Sequence, residues 1–116
     1  MRDTGKEVLE LWPEINWINN LELRQKTAMV WQRALEKSVL KPRDLKRIPF
    51  TLLCGPDLKV SFMDHNRAVV HIARDSGNIM NEFFGDELPV DMDVLISGAF
   101  LADVGTLLES DLEEDW

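Results

Sequence analysis

The stretch DVLISGAFLADVGTLLES, Asp93 to Ser110, limits the possible folds more than any other part of the chain. Between Val94 and Leu108 the residues are apolar or small, and Asp103 carries the only charge. Wound as an α-helix, this segment has no polar face, so other elements must cover most of its circumference. The run is too short to span a bilayer, which leaves a central, surrounded helix in an all-α domain. Gly98 and Gly105, seven residues apart, predict a line along which another backbone approaches closely. A carboxylate in such a helix is costly unless it is paired or coordinates a metal, which makes Asp103 a candidate metal ligand or acid/base group.

The remaining segments also favour helices. Asp3 or Thr4 caps a short helix through Trp12, which Pro13 stops. Asn20 is the N-cap of a second helix, in which Leu23, Thr27, Val30, Trp31, Ala34 and Leu35 recur at helical spacing. Lys37 and Lys41 suit its C-terminal dipole, and Pro42 ends it. The piece RDLKRIPFTLLCGPDLKV predicts a short helix opened by Pro49, with a buried extended stretch over Phe50–Cys54 as the alternative, and Gly55-Pro56 breaks either one. Ser61 caps a longer helix with an apolar stripe of Phe62, Val69, Ile72, Ala73, Met80 and Phe83, and Gly85 stops it. Asp91 or Asp93 then caps the last helix, which runs to about Ser110 before the acidic tail ESDLEEDW. The expectation is a single domain over residues 1–116, a bundle of about five helices.

Composition narrows the partners. The formal net charge of −8 argues against nucleic acid or an anionic membrane, both of which need a basic face. It leaves room for a phosphorylated small molecule held by a metal or by local cations. Cys54 is the single cysteine, so no intrachain disulfide forms, and a reducing, cytoplasmic compartment is expected. The N-terminal MRDTGKEVLELW has mixed charges and no apolar core of signal-peptide length. The sequence has no Gly-rich phosphate loop, no CxxC pair and no HExxH. Trp12, Trp17 and Trp31 read as core packing rather than a ligand cage.

The two histidines separate by helical phase. His65 falls near the line of Phe62, Val69, Ile72 and Ser76 and is expected to face inward. His71 falls with Asp64, Arg67, Asp75, Asn78 and Glu82 on the wet face, where Asp75 is its expected partner.

With these residues in view, DHNRAVVHIARDSGNIMNEFFGDELPVDMDVLISGAFLADVGTLLE resembles the first half of the HD superfamily, the helical metal-dependent phosphohydrolases. In that family a histidine near the start of one helix is followed, some tens of residues later, by a helix reading roughly LLHDIGK. The resemblance covers residues 61–110. It implies an HD-like bundle without the family's later helices, a divalent metal cofactor, and His65 and Asp103 as ligands. Ala102 stands where the family has the histidine of its signature pair, and Thr106 replaces the usual lysine. A catalytic metal site commonly takes three protein ligands plus an open position, so the implied site is incomplete. The two activities the resemblance leaves open are weak or absent phosphohydrolase chemistry and a non-catalytic module for self-association or partner binding. If the later helices are absent, exposed apolar surface predicts a homodimer that buries the region around Val94, Ala99, Phe100, Val104 and Leu108.

Overall fold

The computed structural model describes residues 4–38, 42–48, 60–102 and 104. Its elements in chain order are α1 (Thr4–Leu11), a 3-10 turn (Pro13–Trp17), α2 (Leu21–Lys37), a second 3-10 turn (Pro42–Lys46), α3 (Phe62–Phe84) and α4 (Met92–Leu101). The fold is all-α, and there is no strand among the described residues. The expectations for Pro49, Phe50–Cys54, Gly55-Pro56, Gly105 and the last helix beyond residue 104 lie outside the described residues. No helix among the described residues is long and apolar enough to cross a membrane.

Local chemistry sets the helix ends. The Asn20 side chain accepts from the Leu23 N–H at 3.0 Å, which satisfies one of the orphan donors of α2. Ser61 and Asp64 form a capping box at the start of α3: Ser61 Oγ accepts from the Asp64 N–H at 3.1 Å, and Asp64 Oδ2 accepts from the Ser61 N–H at 3.2 Å. Ser61→Ala should therefore lower stability by about 1 kcal/mol, read as a lower midpoint in urea melts with an unchanged slope. α4 is capped by Asp91, whose carboxylate accepts from the Val94 N–H. Asp93 has a different task, because its two oxygens accept the N–H groups of Asn19 and Asn20 at 2.8 and 2.9 Å and tie α4 to the start of α2.

The core is built around aromatic rings. Trp12 and Trp31 lie with ring centroids 4.6 Å apart, Phe100 meets Trp12 edge-on at 6.2 Å, and Phe62 meets Trp31 edge-on at 5.9 Å. All four are fully buried or nearly so. Both indoles of the pair have their polar atom satisfied: Trp12 Nε1 donates to Asn66 Oδ1 at 2.9 Å, and Trp31 Nε1 donates to the Phe100 carbonyl at 2.8 Å. Burying a tryptophan without such a partner would cost part of its packing gain. The Thr27 and Ser97 hydroxyls, 2.7 Å apart, make a second polar tie between α2 and α4.

α3 and α4 form an antiparallel hairpin. Asn81 closes it by accepting from the Val90 N–H at 2.8 Å and donating to the Val90 carbonyl at 3.2 Å. The close approach within it falls at Gly77, where a Cβ would lie 2.6 Å from Leu95 Cδ2 and 2.7 Å from Met92 Sδ. Gly98 is exposed, and a Cβ there would meet nothing within 4 Å, so its expected role in close packing is corrected.

Two further expectations change. The buried residues of α3 are Phe62, Met63, Asn66, Val70 and Gly77, while Ile72, Met80 and Phe83 of the expected stripe are exposed. The helix is turned so that Phe62, Met63 and Val70 pack inward together with Asn66, which accepts from Trp12, and Gly77, which admits α4. α4 is likewise not surrounded. Ile96, Ser97 and Phe100 are buried, but Val94, Gly98 and Ala102 are exposed along its outer side. Phe100 is inside the chain, so it is not available to an interface between copies.

Candidate functional site

Two places concentrate chemistry. The first is the end of the α3–α4 hairpin where His65 lies. His65 follows the capping box directly and is half-buried. At the far end of the hairpin Gly77 meets Met92 and Leu95, and near His65 the Trp12 indole touches both Asn66 and Phe100. This register brings the start of α3 beside the end of α4, where Ala102 is exposed. Asp103 itself lies outside the described residues. Of the line it was expected to share, Phe62 is buried, Val69 is half-buried, and Ile72 and Ser76 are exposed, so His65 sits where that line leaves the core rather than facing inward.

The donor set decides what this end can hold. Among the described residues there is no group of three or more His, Cys, Asp and Glu side chains placed to hold a metal. His65 is the imidazole at this end, and Ala102 has no lone pair to add. The described residues therefore do not fit a catalytic divalent metal, which needs a closed or nearly closed set of protein ligands.

The second place is centred on Glu14, in the first 3-10 turn, and sequence reasoning assigned it no role. Glu14 is 3% exposed, and its carboxylate accepts from Arg67 Nε at 2.8 and 3.1 Å. His71 Nε2 lies 3.5 Å from the same carboxylate, so His71 turns to Glu14 rather than to Asp75 one turn on. The Trp17 ring packs edge-on to His71 at 4.8 Å, and the Arg74 guanidinium sits 3.8 Å above it. Arg67, His71 and Arg74 recur at i, i+4 and i+7 on one line of α3. That spacing was the available signal, but nothing in the sequence pairs it with a carboxylate more than fifty residues away. The arrangement pins the 3-10 turn to α3 through a buried charge and a cation–π contact. Both Glu14 oxygens are engaged, so this carboxylate is a strut and not an open acid/base group.

Beside Arg67 a cleft of about 200 Å³ opens between Pro13, Lys46 and Asp64. It carries both signs of charge and no aromatic wall, so it selects no ligand class. No protein-family model, no curated protein and no solved structure matches the chain.

Proposed function

We propose that this chain is an HD-type domain, similar to metal-dependent phosphohydrolases, that keeps only part of the metal ligand set and does not turn over phosphate esters on its own. The observation that supports the reading is the register of the α3–α4 hairpin. It sets His65, the family's first histidine, at the same end as residues 101–102 of the LADVG motif. His65 and Asp103 are the residues proposed for the metal, and a phosphorylated small molecule is the proposed substrate class of the ancestral site.

Ala102→His tests it. Position 102 is exposed, so the substitution leaves the core untouched. It raises the proposed ligand set to three, the usual minimum for a catalytic site. The expected result is Mn²⁺ or Co²⁺ binding by calorimetry in the variant and none in the parent, with binding abolished when His65→Ala is added. Weak hydrolysis of p-nitrophenyl phosphate should accompany it. Metal binding that is no stronger in the variant, or that survives His65→Ala, would remove the hydrolase ancestry from consideration.

A second reading, an association module that binds another polypeptide, is supported by a separate observation. The outer row of α3 is apolar yet exposed: Ile72 is 64%, Ile79 54% and Phe83 76% accessible. Contiguous exposure of this kind marks an interaction surface. Self-association belongs to this reading.

A further inference from the structure

The α3–α4 layer packs one side against α2 and the two 3-10 turns and leaves apolar side chains exposed on its other side. Ile72, Ile79 and Phe83 of α3 and Val94, Gly98 and Ala102 of α4 line that open side. We infer that it is the interface between two copies of this chain, paired open side to open side about a two-fold axis. The inference rests on the association reading above and names its partner.

Three observations carry it. The first is charge. In a chain with 29% charged residues, none of these six positions is charged, and the carboxylates of Asp75, Glu82 and Asp91 stand at the border. Two such faces meet without burying a charge, whereas a cationic partner would find no acid at the centre to recognise. The second is area. Ile72, Ile79, Phe83 and Val94 are each more than half exposed on this side, apolar surface of the kind that a stable dimer covers at ~800 Å² per partner. The third is shape. A Cβ at Gly98 meets nothing within 4 Å, so the outer side of α4 is a low seat between Val94 and Ala102. The large side chains of a partner's α3 can settle there, as small residues let one helix approach another. This places the contact mainly on α3, with Phe100 inside the chain and not at the seam.

The acidic borders give the dimer a recognisable salt response. Each copy carries a formal charge of −8, so pairing brings like charges together, and added salt screens the repulsion.

Sedimentation velocity on the full chain tests the proposal, with Gly98→Glu and Ile72→Glu as variants. Both positions are exposed, and Gly98→Glu also removes a helix-interior glycine, so the single chain keeps its fold. Far-ultraviolet circular dichroism verifies this. The expected result is a wild-type dimer at micromolar concentration that tightens with NaCl, and variants whose dissociation constant rises by about thirtyfold or more. A wild-type monomer at these concentrations overturns the proposal and self-association with it. A dimer indifferent to both substitutions overturns the proposal but leaves association through another face. A dimer that weakens with salt overturns the uncharged, like-charged geometry argued here.

Discussion

Trp31→Ala is expected to lower the stability of the fold by about 3–5 kcal/mol. The indole is fully buried and bridges Trp12, Phe62 and Phe100, so three other elements lose contact area when it is truncated. Removing a buried tryptophan costs about 3–5 kcal/mol through lost transfer energy and the cavity left behind. The Phe100 carbonyl also loses its donor. A domain of this size holds only about 5–15 kcal/mol in total, so one substitution consumes a large share. Trp31→Phe separates the two contributions. It keeps an aromatic ring but removes the N–H, and should fall well short of the alanine loss. Urea melts followed by circular dichroism measure both. An alanine variant within about 1 kcal/mol of wild type would show that the aromatic cluster is not the core.

Arg67→Ala is expected to destabilise the fold by about 2 kcal/mol, more than its half-exposed side chain suggests. The reason lies in its partner. Glu14 is 3% exposed, and without Arg67 its carboxylate remains covered, with the His71 imidazole 3.5 Å away. A lost partner at a buried charge costs about 3–5 kcal/mol, and the solvent that reaches Arg67 lowers that figure here. The cycle with Glu14→Leu decides the mechanism. If the cost is a stranded charge, the double variant should be more stable than Arg67→Ala alone, because leucine removes the group that was stranded. Additive losses in the cycle would mean that Arg67 acts through packing of its aliphatic stem instead.

Much of the architecture was legible because its causes are local. Pro13 after Trp12, Asn20 before the Leu23 turn, Ser61 with Asp64 three residues on, and Asp91 before Val94 all act within a few residues, and each marks a helix end in the structure. The fully buried tryptophans at 12 and 31 were also legible, since large rings on apolar phases have few alternatives to a core. The Glu14 strut was not. Its carboxylate, Arg67 and Trp17 come from two segments whose relative position is set by packing, and no spacing rule links residue 14 to residue 67.

The amino-acid sequence alone determined that this chain is helical and where α2 and α3 begin. Only the tertiary structure decided which way α3 turns. The helix offers two apolar rows one could bury, one through Val69, Ile72, Ile79 and Phe83 and one through Phe62, Met63 and Val70 that also carries Asn66 and Gly77. Hydrophobicity alone does not choose between them. The second is buried because its polar atom meets the Trp12 indole and its glycine admits α4 to within contact, and both gains exist only once the partner elements are in place.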